Sequence, residues 1–274
     1  MKASLLQMTS GIDPAANART VTDGIARAAA AGSAMLFTPE MSGLLDGDRE
    51  RARAHVVAEA EDPVLAATRE AAAKHGIWVH LGSLALKGEG EKFLNRGFVI
   101  DGTGAIRAHY DKLHLFDVDL ATGESWRESN TYCRGERAIV VDTPIGRLGL
   151  AICYDMRFPD LFRALSDAGA TVLAVPAAFT RPTGQAHWHV LLRARAIEAG
   201  AYVIAAAQTG LHADGRATYG HSLAIDPWGE VVLDMGEAAG LGSVEIDQAR
   251  VEDVRSRVPV LRHRRPIPPV ETFA

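Results

Sequence analysis

Residues 148–169 read LGLAICYDMRFPDLFRALSDAG, and the order of events in this stretch decides the fold class. An apolar run of strand character (148–153) ends in Cys153. A helix opens at Pro159 and stops at Gly169, with Leu161, Phe162 and Leu165 on one helical face. A strand running into a helix within a few residues is the unit of an α/β protein. A cysteine following Leu150, Ala151 and Ile152 is most simply a small buried hydrophobe. A cysteine on a strand-to-helix turn has a second reading, because backbone N–H groups and the positive helix end there favour a thiolate and can hold an oxyanion.

The pattern repeats outward. Asp13-Pro14 and Asp62-Pro63 are the N-cap and first-turn pairs of helices that stop at Gly32 and Gly76, and a fourth helix covers about 185–199 before Gly200. Strand-length apolar runs lie at 34–37, 77–83, 171–175 and 202–207, and the opening segment MKASLLQ reads as a first strand. Hairpins are expected at 93–110, turning at Asp101-Gly102, and at 219–235, turning around Pro227 and Gly229. Helices alternating with strands, plus strand-only hairpins, imply layered α/β structure with mixed sheets rather than a purely parallel one. No linker or low-complexity tract interrupts the 274 residues, so residues 1–274 read as a single domain.

Bulk properties narrow the function. A net charge of -5 leaves no electrostatic footprint for nucleic acid, so a small-molecule substrate is the expected partner. No apolar stretch approaches the ~20 residues that span a bilayer. Cys133 and Cys153 are read as free thiols. No C-x-x-C, H-E-x-x-H or Walker-type loop is present, the ten histidines look scattered, and no metal site is expected. The basic stretch RSRVPVLRHRRP (255–266) reads as a solvated or dimer-docking tail of about 255–274 rather than a nucleic-acid arm.

Three chemically distinct groups each follow an apolar strand: Glu40 in FTPEMS, Lys112 in YDKLHLFDVD and Cys153 in GLAICYDMRFPDL. Taken singly, each is more simply a solvated carboxylate, a surface lysine or a core thiol. Together they make a base, a cation for an oxyanion and a nucleophile for attack on a carbonyl. In this order and spacing they resemble the nitrilase superfamily of carbon–nitrogen hydrolases, and the likeness runs from SLLQM (4–8) to RRP (264–266).

That resemblance implies an α-β-β-α sandwich with two mixed sheets and a cytoplasmic homodimeric enzyme without cofactor. It also implies a Glu40–Lys112–Cys153 triad that hydrolyses amides to acid and ammonia through a thioester. Glu128 in WRESNTYCRG fits the second glutamate of the family, with Glu124 and Glu136 as neighbouring alternatives. Tyr154 would supply an oxyanion N–H. Arg157 would meet a substrate carboxylate, or else pair with Asp155 or Asp160. The segments AHWHVLLRARAIEAGAYVIAAAQTG (186–210) and RATYGHSLAIDPWGEVV (216–232) resemble the Nit branch. Within it they are closer to deaminated-glutathione amidases than to omega-amidases acting on α-ketoglutaramate. Nitrilase and N-carbamoyl amidohydrolase activities share the triad and stay open. So do a Cys–His hydrolase using His187 or His221 and a catalytically silent binding protein on the same fold.

Overall fold

The computed structural model describes every residue except Leu120, Ala121, Thr122, Glu124 and Ala274. Its first sheet is built from β1 (Lys2–Gln7), β2 (Met35–Phe37), β3 (Trp78–Lys87), β4 (Phe93–Ile100) and β5 (Ile106–Asp111). The second is built from β6 (Val140–Thr143), β7 (Gly146–Leu150), β8 (Val172–Ala174), β9 (Tyr202–Ala205), β10 (Leu223–Ile225) and β11 (Val231–Asp234). The chain then returns to the first sheet, where β12 (Gly240–Glu245) lies antiparallel to β1. Strand order is β12-β1-β2-β3-β4-β5 in one sheet and β11-β10-β9-β8-β7-β6 in the other. Both are mixed: β1, β2 and β3 are parallel, as are β7, β8 and β9, with antiparallel strands on either side.

Side-chain alternation shows why the sheets stack. In β1, Ala3 and Leu5 enter one core while Leu6 enters another; in β2, Met35 and Phe37 part from Leu36 in the same way. The second of these cores is closed by Val21 and Ile25 of α1 (Pro14–Ala30) and Leu65 and Ala72 of α2 (Pro63–His75). The first joins the two sheets and continues to Phe162 of α3 (Pro159–Asp167) and Trp188 of α4 (Arg181–Ala199). The layers are therefore helix, sheet, sheet, helix, and strands buried on both faces must be apolar throughout. Each fully buried large side chain, such as Phe37 or Leu36, contributes about 1.5–3 kcal/mol.

The helix punctuation is realised: Asp13 accepts from Ala15 N at 2.9 Å, Asp62 from Leu65 N at 2.7 Å, and Gly76 and Gly200 stop their helices at φ of 64° and 51°. Several boundaries differ. α4 begins at Arg181, and β3 runs on to Lys87 through a register irregularity between Leu81 and Leu84. The second hairpin is shorter than expected, because Ala217–Tyr219 pairs with Thr209–Leu211 and His221, at φ 53°, breaks the run before β10. The basic tail is partly docked on its own chain: Arg255 donates to the carbonyls of Gly200, Ala170 and Ala199. Arg264 does the same to those of Arg163 and Glu198. Beyond them Ile267, Val270 and Phe273 are exposed. No described helix is long and apolar enough to cross a membrane.

Candidate active site

β7 ends at Leu150, so Cys153 lies beyond the strand as the first residue of a short 3-10 helix, Cys153–Arg157. Its φ is 49°, a left-handed value unusual for a residue with a β-carbon. The strain is held in place from two sides. Cys153 N donates to Pro176 O at 2.9 Å, and the buried carboxylate of Asp155 gathers the surrounding chain. Asp155 accepts from Ile152 N (2.9 Å), Tyr110 Oη (2.7 Å) and His114 N (3.0 Å), and contacts His114 Nδ1 at 2.7 Å. Since Tyr110 and His114 flank Lys112, one carboxylate locks the lysine segment against the nucleophile turn.

Glu40 follows β2 in the same manner, and the next residue, Met41, again has positive φ (57°). Gly82 permits this turn: a β-carbon there would lie 2.2 Å from Thr38 O and 2.4 Å from Pro39 O. Two of the three non-glycine residues with positive φ among those described thus flank one site. Strained residues gathered around one cavity point to function.

The three groups meet. Lys112 Nζ, 2% exposed, donates to Glu40 Oε1 at 2.9 Å and to Glu128 Oε1 and Oε2 at 3.1 and 2.9 Å. Glu128 reaches Lys112 and also accepts from Phe116 N at 2.7 Å, whereas Glu136 is exposed and Glu124 lies outside the described residues. Glu40 Oε2 accepts from Ala178 N at 2.9 Å, and Glu40 is in hydrogen-bonding contact with the Cys153 thiol. Asn95, on β4, donates from Nδ2 to both glutamates, at 2.9 and 3.3 Å. Sequence reading missed Asn95. It lies in phase with inward-facing Phe93 and Gly97, and a polar residue at an inward strand position was the available signal.

The electrostatics set the protonation states. Burial alone would raise the Glu40 carboxyl, but Lys112 and hydrogen bonds from Lys112, Cys153 and Asn95 prevail and hold it below the usual range. Burial would lower Lys112, yet Glu128 and Glu40 push it well above an ordinary lysine. Burial and then the Glu40 charge push the Cys153 thiol up, against the pull of Lys112. The expected helix-end stabilisation of a thiolate is therefore overruled; the resting site holds a thiol beside an ionised carboxylate and an ammonium.

These groups share a cavity of about 360 Å³, within the size range of small-ligand pockets. Tyr154 lines it, and its N–H sits in the first turn of the 3-10 helix, where amide donors lack intrahelical acceptors. Arg157 does not line it. Its guanidinium lies over the Tyr154 and Phe179 rings and contacts His187 Nδ1 at 3.3 Å, pairing with neither Asp155 nor Asp160. The cations that do reach the cavity, besides Lys112, are Arg49, Arg127 and Arg216, with Trp126 beside them. Sequence reading missed all of these, since Arg49 opens a five-residue helix, Trp126 and Arg127 lie on a three-residue strand and Arg216 lies in a hairpin loop, elements too short to carry a pattern. Among the described residues no histidine lines the cavity, which removes the base that a Cys–His hydrolase requires.

The histidines are less scattered than they look in sequence. His189, His221 and Asp234 converge, with Asp234 contacting His189 Nε2 at 3.0 Å and His221 Nδ1 at 2.9 Å. Asp234 thus engages one ring nitrogen of each imidazole. Both cysteines are free thiols, Cys153 buried and Cys133 half-buried on a two-residue strand beside β4.

Residues 2–256 match the carbon–nitrogen hydrolase family. The deaminated glutathione amidase of Yersinia enterocolitica is 39% identical over 265 residues, covering 96% of this chain and 92% of that protein. The crystal structure of the Caenorhabditis elegans NitFhit protein superposes with a TM-score of 0.89 at 41% identity, over 96% of this chain and 65% of that one. An amidase from Nesterenkonia sp. AN1 is 28% identical with a TM-score of 0.78, over 94% of this chain and 98% of that one. It was solved as a glutamate-to-glutamine variant after Michael addition of acrylamide at its active-site cysteine.

Proposed function

Because this chain belongs to the carbon–nitrogen hydrolase family, we propose that it hydrolyses a small carboxylate-bearing amide, deaminated glutathione first and α-ketoglutaramate second, through a thioester on Cys153. The observation that carries this reading is the convergence of Cys153, Glu40 and Lys112 in one cavity.

Glu40 takes the thiol proton as Sγ attacks the amide carbon, because the buried thiol is not ionised beforehand. The carbonyl oxygen becomes an oxyanion. An ammonium has three donors; Glu40 and Glu128 can each be served by one, which leaves the third for the oxyanion beside the Tyr154 N–H. Protonated Glu40 returns its proton to the amide nitrogen, and the amine leaves. Glu40 then draws a proton from a water that attacks the thioester; the acid departs and Sγ recovers the proton. Glu128 positions Lys112, and Asn95 positions both carboxylates. No step asks for a metal or cofactor.

Deaminated glutathione carries its cysteine residue on the scissile nitrogen, so cysteinylglycine leaves; from α-ketoglutaramate, ammonia leaves. The test compares kcat/KM for both with a neutral amide, a benzonitrile and an N-carbamoyl amino acid, following the acid rather than ammonia. Preference for either 2-oxo acid amide supports the reading; preference for the nitrile or the carbamoyl compound overturns it. The reading extends to a single domain, closed by β12 on β1, acting in the cytoplasm as a homodimer. Exposed Ile267, Val270 and Phe273 of the tail give a partner subunit apolar surface to cover. Light scattering should give at least twice 29.3 kDa; an active monomer would remove the dimer and leave the chemistry.

A further inference from the structure

Three buried nitrogen donors with no acceptor among the described residues belong to side chains that line the same cavity: Arg216 Nε, Arg49 Nε and Trp126 Nε1. Buried donors are normally paired, and leaving one unpaired is costly. The wall formed by Arg216, Arg49 and Trp126 therefore carries more donor capacity than the described chain satisfies.

The wall is held in shape. The Arg216 guanidinium lies over the Trp126 ring at 4.7 Å. Asp214 anchors it from behind, accepting from Arg216 Nη2 at 3.2 Å and Arg216 N at 3.0 Å, and also holds Gly47 N at 2.8 Å. Arg49 is fastened by Nη2 to Glu91 O at 3.3 Å. The other charges nearby are accounted for. Asp46 is engaged by both Arg51 Nε and Nη2 at 2.7 Å, and Arg127 by both oxygens of Asp119. Among the charged residues lining this wall of the cavity, Arg49, Arg127 and Arg216 face a single carboxylate, Asp46. Glu40 and Glu128 against Lys112 leave one negative charge at the reacting end. An anionic substrate is thereby oriented: its carboxylate is repelled from the two glutamates and attracted to the arginines.

We propose that Arg216, placed over the Trp126 ring, forms with Arg49 and Trp126 the subsite that binds the remote carboxylate of the amide substrate. This deepens the functional reading above and rests on it for the substrate class. It also reassigns the role that sequence reading gave to Arg157. A guanidinium presents planar paired donors that match a carboxylate, and a neutral analogue would leave the cation unpaired.

The test uses Arg216→Gln, Arg49→Gln and Trp126→Phe, the last keeping an aromatic ring beneath Arg216 while deleting the indole N–H. For each, kcat/KM is measured on α-ketoglutaramate and on a neutral amide of matched length. The readout is the ratio of the two. In Arg216→Gln the ratio should fall roughly 30- to 1000-fold, as for truncation of one partner of a buried charge pair. Trp126→Phe and Arg49→Gln should lower it by smaller factors. Ratios within threefold of the parent in all three variants overturn the subsite.

A binding arm separates this claim from the reaction itself: glutarate is used to protect Cys153 from iodoacetamide. Protection in the parent that is lost in Arg216→Gln supports the subsite even if the parent hydrolyses neither 2-oxo acid amide. No protection in the parent, or protection unchanged in a folded Arg216→Gln, overturns it. Should Arg216→Gln fail to fold, the same comparisons on Trp126→Phe decide the matter.

Discussion

Replacing Glu40 by glutamine should make the enzyme nearly inactive while making its nucleophile more reactive toward simple electrophiles. The two halves follow from different properties of one carboxylate. Glu40 is the base for the thiol proton, and loss of a positioned base costs about 10²–10⁴ in rate. Yet its charge, after burial, is what pushes the Cys153 thiol up, while Lys112 pulls the other way. In Glu40→Gln the opposing charge and its hydrogen bond are gone and Lys112 remains, still held by Glu128 at 2.9 Å. The thiolate fraction at neutral pH therefore rises. The amide also mismatches its surroundings: Oε1 of Glu40 accepts from Lys112 and Asn95, and Oε2 from Ala178 N. A glutamine can meet only one side, and an unsatisfied buried donor costs about 1–3 kcal/mol. That lowers the melting temperature by roughly 2–4 °C per kcal/mol in a chain of this size. The assay pairs amide hydrolysis with iodoacetamide modification of Cys153, read by intact mass from pH 5 to 10, beside a thermal melt. Hydrolysis should collapse and the alkylation profile should move to lower pH. A folded variant that alkylates more slowly at every pH, or keeps hydrolysis within tenfold of the parent, would refute the assignment of Glu40.

Cys153→Ala should lose activity by a factor on the order of 10³ to 10⁶, whereas Cys133→Ala, outside the cavity lining, should stay within twofold; the reverse pattern in a kinetic comparison would exchange their roles. Dialysis against EDTA should leave turnover unchanged while a thiol alkylator abolishes it, and activity restored by a divalent ion would contradict the mechanism. His80, packed on Phe37 in β3, is held by burial at a pKa of about 3 against 6.5 unfolded. The unfolded chain therefore binds a proton that the folded one refuses, and stability is full above pH 6.5 and drains as pH falls toward 3. At pH 5 the loss attributable to His80 is about 2 kcal/mol relative to pH 7.5. Urea melts of His80→Leu at the two pH values should show a difference smaller by that amount, and an unchanged difference would remove His80 from the acid response.

The alternation of capped helices with apolar runs was enough to determine a layered mixed α/β fold, and the order FTPEMS, YDKLHL, GLAICYD was enough to nominate Glu40, Lys112 and Cys153. The helix and strand signals are local, each written within ten residues or so, whereas the nomination rests on three motifs taken together in their order along the chain. Only the tertiary structure brought Glu128 within reach of Lys112 and Phe116 N. It alone revealed Asn95 between the carboxylates, Asp155 tying the lysine segment to the nucleophile turn, and Arg216 rather than Arg157 at the cavity. It also reversed the expected acidity of the thiol. Burial and the charges brought near by folding set that acidity, and both depend on contacts between residues as far apart as 40, 112 and 153.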